Sequence, residues 1–223
     1  MTKETIQHYI DHHKFMQIKH HKRKKILLAC FSEFSKGFFN ANTDVIVQRA
    51  NISKGSLFYY FGSKQDCYLF CICYTSFTLT QAYDQVILAS TDFLTNIRTV
   101  SIKAIEVSIQ NPEMIQFISR AVTEIPNVFP DGLPFNVHQA STELLMNILK
   151  SSDPSVYRTD ISVKTIETIM LYTIKGFSDQ LTHKKWDIHN YQKQYQEVMN
   201  ELDLYIEGLK IAFYTQSNQG GNK

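Results

Sequence analysis

Glycine and proline are scarce in this chain of 223 residues. There are eight glycines and five prolines, and two of the glycines sit together in the tail at Gly220-Gly221. That scarcity excludes a turn-rich all-β fold, which needs such residues at most chain reversals. Long apolar runs are also missing: the longest is Cys67 to Tyr74, against the roughly 20 apolar residues of a membrane-crossing helix. The stretch Met1 to Gln17 is polar and lacks the apolar core of a secretory signal. Four cysteines, three of them within Cys67–Cys73, form no spaced disulfide framework, so a reducing, cytoplasmic setting is expected. Motifs of catalysis are absent as well. The chain has no P-loop, no Gly-rich dinucleotide turn, no His-Glu-x-x-His and no Gly-x-Ser-x-Gly. The expectation is therefore a protein that is not an enzyme and uses no cofactor and no metal.

What is present is an uneven charge. Residues 1–65 hold eleven Lys and Arg against four Asp and Glu, or +7; residues 66–223 hold twelve against seventeen, or −5, for the total of +2. A basic head on a mildly acidic remainder points to a polyanionic partner for one end of the chain. With 43% hydrophobic and 20% charged residues, the composition is that of an ordinary globular chain with a sizeable core.

Periodicity predicts helices throughout, hence an all-α class. Ile26, Leu27, Cys30, Phe31 and Phe34 recur every three to four residues over about 19–35, and Gly37 supplies the stop. Thr43 is the expected N-cap of a short helix ending at Arg49, and Ser53 that of a second, Lys54 to Tyr60. Asn51 between them tolerates left-handed backbone. Ser63 caps a longer helix from Lys64 toward Ala89. Further helices are expected over 91–109, 112–123, 136–150, 160–181 and 191–214, with a proline-studded connection over Ile125–Phe135. The last two carry the clearest stripes: Val163, Ile166, Met170, Ile174, Phe177 and Leu181, then Tyr195, Val198, Leu202, Tyr205, Leu209 and Ala212. Two such helices invite a partner pair in a four-helix bundle, or pack within their own domain.

Two short helices joined by a tight turn and followed by a long one match a helix-turn-helix, whose second helix lies in the DNA major groove. Leu57 and Phe61, four apart, face the core and leave Lys54, Gly55, Ser56, Tyr59 and Tyr60 outward. Glycine in a first helical turn costs about 1 kcal/mol relative to alanine, so Gly55 suggests close approach to another molecule. The run His20-His21-Lys22-Arg23-Lys24-Lys25 sets cations at a helix N-terminus, against the macrodipole, where phosphate contact would supply the compensation.

The residues from Ile26 through Gly37, Phe38, Thr43, Ile46 and Ala50 to Ser53-Lys54-Gly55-Ser56-Leu57-Phe58-Tyr59-Tyr60-Phe61-Gly62-Ser63-Lys64 resemble the DNA-binding domain of the TetR (tetracycline repressor-like) transcriptional regulators. The resemblance implies a homodimer whose subunits each join a three-helix DNA-binding head to a larger helical body that binds an effector and dimerises. On that basis 1–18 is an N-terminal extension, helical or disordered. Residues 19–65 are the head, 66–216 the effector-binding and dimerisation body, and 217–223 a disordered tail. Carried residue by residue, Thr43 and Ser53 hold phosphates at helix starts, Lys54, Gly55 and Ser56 approach base edges or backbone, Tyr59 and Tyr60 touch backbone and bases, and Lys64 grips a phosphate. Three positions depart from the family pattern: Phe58 replaces the usual Tyr, Tyr60 a common His, and Asn51 the usual Gly of the turn.

The implied function is a sequence-specific, ligand-responsive repressor on a near-palindromic DNA operator, with no membrane association. Effector-lining candidates are Phe93, Phe117, Arg120, Glu124, His138, Tyr172 and Phe177, together with Phe129, Phe135 and Trp186. Dimer-interface candidates are Val163, Ile166, Met170, Ile174, Phe177, Val198, Leu202, Tyr205 and Leu209. The alternative is a metal- or thiol-responsive regulator. It would use the His-rich N-terminus, where His8 and His12 lie one turn apart, or Cys67 and Cys71. Against it, those cysteines sit in an apolar run that reads as core.

Overall fold

The computed structural model describes residues 3–86, 88–133, 139–183 and 190–215. Among them there are no strands, and the extended pairing is one antiparallel bridge between Tyr157 and Tyr214. The helices in chain order are α1 (Lys3–His12), α2 (His20–Phe34), α3 (Thr43–Ala50), α4 (Lys54–Phe61), α5 (Lys64–Asp84), α6 (Phe93–Gln110), α7 (Pro112–Val128), α8 (Gln139–Lys150), α9 (Val163–His183) and α10 (Tyr191–Phe213). Short 3-10 turns cover Lys14–Gln17 and Pro154–Val156. The protein is all-α, a helix-turn-helix head with a helical body. The positions Phe135, His138 and Trp186, the expected start of α8 at Asn136 and the tail 217–223 lie outside the described residues.

Several boundaries differ from the sequence expectation, most by one to three residues, and three of the differences bear on the fold. Asn42, not Thr43, caps α3, because its Oδ1 accepts from the Asp44 N–H at 2.8 Å. Helix α5 ends at Asp84, short of Ala89. Helix α7 runs past Thr123 to Val128 with Pro126 inside it, so the apolar segment after Thr123 begins as helix rather than as a connection. Proline in a last turn removes one backbone hydrogen bond, and burial of Val128 with partial burial of Ile125 and Phe129 offsets that loss.

The chain divides into two compact units. The first contains the residues up to Ala82 together with Val107–Ser141, and the second Tyr83–Glu106 with the residues from Thr142 onward. In the second, Phe93, Leu94, Ile97, Ile166, Met170, Ile174, Val198, Leu202 and Leu209 form the buried core. The Arg98 guanidinium pairs with the Asp203 carboxylate through two bonds of 2.7 and 3.1 Å. Asp92 caps α6 by accepting from the Thr95 N–H at 2.7 Å, and its other oxygen accepts from the Tyr214 hydroxyl.

In the first unit α2 is the central strut. Its Phe31 and Phe34 meet Phe117 of α7 at ring distances of 5.3 and 6.2 Å, and Phe34 meets Tyr68 of α5 edge-on at 5.0 Å. The residues before α2 belong to this core. Ile10 and Phe15 are fully buried, and Phe15 packs on Phe61 and Phe70 at 4.7 and 5.3 Å. Part of the basic run at the start of α2 serves the fold itself. The Arg23 guanidinium donates to the Met16 carbonyl at 2.6 Å, tying the 3-10 turn to the helix. Lys22, Lys24 and Lys25 stay exposed.

The connection from α2 to α3 is held by two buried carboxylates. Glu33 Oε1 accepts from the Asn42 N–H at 3.2 Å, and its other oxygen pairs with Lys36 at 2.6 Å. Glu124, on α7, accepts from the Phe38 N–H at 2.7 Å, pairs with Arg120 at 2.7 Å and receives the Tyr68 hydroxyl at 3.4 Å. Gly37 makes this possible. Its φ of +101° is left-handed, and a Cβ there would stand 2.5 Å from Glu124 Oε1. Gly37→Ala therefore carries backbone strain and displaces the carboxylate, and a loss of about 1–3 kcal/mol is expected. Urea denaturation followed by circular dichroism measures it; an unchanged midpoint would refute the clamp.

Candidate nucleic-acid interface

Helix α4 is short and doubly anchored. Leu57 is fully buried and Phe61 is 5% exposed, so one face is fixed in the core while the other points outward. Its start is organised by Ser53, whose Oγ accepts from the Ser56 N–H at 3.0 Å and shares a hydrogen bond with the Ser56 hydroxyl at 2.8 Å. The turn before it depends on Asn51, left-handed at φ 54° and ψ 54°. Asparagine is among the few side chains that tolerate this geometry, which accounts for its presence where the family pattern has glycine.

The outward face carries Lys54, Gly55 and Tyr59, all exposed, with Ser56 and Tyr60 partly buried. Tyr59 is 67% exposed, with its ring edge-on to Tyr60 at 5.5 Å and a broad face open to another molecule. Lys54 is paired with Asp44 of α3 at 2.8 Å. Both side chains are more than half exposed, so the pair contributes little to stability and opens readily to a stronger anion. Thr43 is half-buried at the first position of α3, beside Asp44. Lys64 begins α5 with its ammonium 4.7 Å over the Phe38 ring, and partial burial lowers its pKa while Glu33 acts in the opposite sense. Ser53, Lys54, Gly55, Ser56, Tyr59 and Tyr60 thus gather on and around α4, with Thr43 and Lys64 at the starts of the helices on either side of the motif.

Gly55 is informative by its freedom. A Cβ built there would meet only Ser53 Oγ, at an ordinary 3.9 Å, and its backbone does not occupy the left-handed region. The head itself imposes no need for glycine.

One cation near this face was invisible in the sequence pattern. Lys14, in the 3-10 turn, sets its ammonium 4.7 Å over the exposed Tyr59 ring. The turn is fixed by Phe15, which also meets Tyr60 edge-on at 5.7 Å, and by His13, stacked at 5.9 Å on Phe61. The sequence reads 1–18 as an extension, helical or disordered, and does not mark Phe15, the buried residue that seats the segment. His8 and His12 are exposed on α1 with rings 4.0 Å apart, and His12 Nδ1 hydrogen-bonds the His8 carbonyl at 2.9 Å.

The effector candidates fall in different places. Phe117, Arg120 and Glu124 share α7 in the first unit; Phe117 is fully buried among aromatic rings and Glu124 is engaged by Phe38. Phe93 and Phe177 lie in the core of the second unit, where Phe177 meets Tyr205 at 5.5 Å. Tyr172 is 72% exposed. Of the dimer-interface candidates, Ile166, Met170, Ile174, Phe177, Val198, Leu202 and Leu209 are buried in that same core, and only Val163 and Tyr205 are exposed. The stripes read from the sequence are filled within the chain. The large apolar side chains that α9 and α10 leave outside are Val163, Ile169, Tyr172, Leu204, Tyr205 and Ile211.

Comparison with known proteins places this geometry. The family described as bacterial regulatory proteins, tetR family, matches residues 26–69, the span from α2 into α5. No curated protein sequence matches the chain. Among solved structures, a TetR family transcriptional regulator from Chloroflexus aurantiacus is similar at TM-score 0.58 and 17% identity, covering 91% of this chain and 97% of its own. A chain from a structure described as the molecular basis for control of antibiotic production by bacterial hormones gives TM-score 0.62 and 16% identity, over 89% of this chain and all of that one. The regulator PfmR from Thermus thermophilus gives 0.56 and 15%, over 82% and 97%. Residues 26–69 are a TetR-family helix-turn-helix head, and the fold around them is the one TetR-family regulators share. No described helix is long and apolar enough to cross a membrane.

With the Cβ site open, Gly55→Ala is expected to keep or raise the stability of the head, by up to about 1 kcal/mol. A clear loss in urea denaturation would mean that the glycine serves the fold.

Proposed function

We propose that this chain is a sequence-specific DNA-binding transcriptional regulator, a ligand-responsive repressor that acts as a homodimer on a near-palindromic operator. The observation that carries the reading is the outward face of α4. Lys54, Gly55 and Tyr59 stand exposed over the anchors Leu57 and Phe61, behind a serine-capped helix start. Thr43 and Ser53 sit where helix N-termini offer N–H groups to phosphates. Lys54, Lys64 and Lys14 supply cations around them, and Tyr59 and Tyr60 supply contact to backbone and bases. Two copies would set their recognition helices about 34–36 Å apart, one helical turn of DNA.

The homodimer would use the apolar side chains that the body leaves uncovered. On α9 these are Ile169 and Tyr172, one turn apart and followed by Gly176; on α10 they are Leu204 and Ile211, with Gly208 between. Both glycines have open space at the Cβ position, which lets another backbone approach. The effector reading rests on α7. This helix holds Glu124, which bonds the Phe38 N–H, and it also carries Phe117 and Arg120. A small molecule that shifts α7 shifts the α2–α3 connection, and it changes DNA affinity only if it binds the two arrangements unequally.

Selection of bound duplexes from a random-sequence library at physiological salt tests the central claim; failure to enrich any sequence sinks it. On the enriched operator, Lys54→Ala or Lys64→Ala should weaken binding to all sequences alike and lower the salt slope by about one unit each. Gly55→Ala should weaken binding while leaving the fold intact. Ile169→Asp combined with Leu204→Asp should give a folded monomer by size exclusion with light scattering. A dimer of unchanged mass would place the interface elsewhere.

A further inference from the structure

Three cysteines that lie apart in sequence meet inside the first unit. Cys30 comes from α2, and Cys67 and Cys71 come from successive turns of α5. Their sulfur atoms all lie within 4.8 Å of one another, and Cys30 Sγ is 3.7 Å from Cys67 Sγ. Each residue is at most 1% exposed. Cys73, on the same helix, is buried but is not part of the group. Three thiolates about 2.3 Å from a trivalent ion that keeps its lone pair form a pyramid with sulfurs roughly 3.4 Å apart, so the Cys30–Cys67 pair at 3.7 Å nearly matches it, and separations of up to 4.8 Å close with a shift of less than an ångström at each sulfur.

The geometry points to a three-thiolate site for a trivalent, thiophilic ion of the arsenite and antimonite class. Softness selects sulfur-seeking ions. Charge selects among them. Three thiolates leave a net −2 around a monovalent ion and −1 around a divalent one, whereas a trivalent ion gives a neutral complex. These sulfurs are fully buried, and what acts most on them is that burial, one another and, from outside the group, the Cys73 thiol. An unbalanced charge in such a place is costly. Neutrality is therefore the decisive term. Arsenous acid needs no prior deprotonation. Three S–H bonds and three As–O bonds break, three As–S bonds form, and three water molecules leave. No oxidation state changes.

The ion ties α2 to α5 and enters only when the two helices part locally, so uptake is slow compared with reaction at a surface thiol. The site is independent of any reading of what the head binds, and its test needs no DNA.

The experiment adds one equivalent of arsenite to the reduced, full-length protein. Native mass spectrometry should show one arsenic bound per chain with loss of three protons. X-ray absorption at the arsenic edge should show three sulfur neighbours and no oxygen. The melting temperature should rise, because the ion binds the folded arrangement in preference to the unfolded chain. Cys73→Ser should keep all three results. Cys30→Ala should lose the third sulfur and the rise in melting temperature, each variant being compared with its own ion-free form. Two sulfurs and an oxygen in the unmodified protein would overturn the proposal. So would a lowered melting temperature, which marks binding to the unfolded chain, and so would the absence of any adduct.

Discussion

Everything the head presents depends on how two backbone N–H groups are held. Phe38 lies midway along the connection that delivers α3 and Asn42 at its end, and each donates to a buried carboxylate, Glu124 or Glu33. A carboxylate in the core is costly unless it is paired and hydrogen-bonded. Glu124 has Arg120, Tyr68 and the Phe38 N–H, and Glu33 has Lys36 and the Asn42 N–H. The same bonds that satisfy the charges fix the loop. Gly37 is the covalent condition, since any side chain there would meet Glu124.

From that constraint the outward surface follows in order. A fixed connection sets the start of α3, where Asn42 caps the helix. Left-handed Asn51 turns the chain, Ser53 caps α4, and Leu57 and Phe61 lock its rotation. What remains on the outside is then determined: Lys54, Gly55 and Tyr59. Helices this short are marginal in water alone, and here their stability is borrowed from the core beneath. That arrangement suits an interface, because residues kept off the core are free to meet another molecule. Gly55 and the exposed Tyr59 ring are poor choices for a surface that meets only water.

Much of this could be read from the sequence because it rests on short-range rules. Apolar spacing gave α2 and the last two helices, and Ser53 and Asn51 fit the chemistry of a cap and a turn. The family motif placed α3 and α4. What could not be read is long-range. Glu124 was visible as a polar residue of α7 but its partner lies 86 positions away. Cys30 had no marker linking it to Cys67. Nothing in the extension marked Phe15 as core, so the seating of Lys14 beside Tyr59 was hidden. The stripes on α9 and α10 show the limit in another form. Periodicity says that a face is buried, and it does not say whether the neighbour belongs to the same chain.

Helix α2 explains why so many separate features share one region. Its Arg23 holds the 3-10 turn, Cys30 faces α5, Phe31 and Phe34 face α7, Ser32 accepts from Arg49 of α3 at 2.6 Å, and Glu33 holds the loop. These contacts leave one helix axis in several directions, so α2 has little freedom to move without disturbing more than one of them. A packed element of this kind responds to a perturbation by shifting between discrete arrangements rather than deforming smoothly. The cations at its N-terminus then acquire a second meaning. Lys22, Lys24 and Lys25 oppose the helix dipole and stay exposed. They sit on the element that also carries the connection to α3.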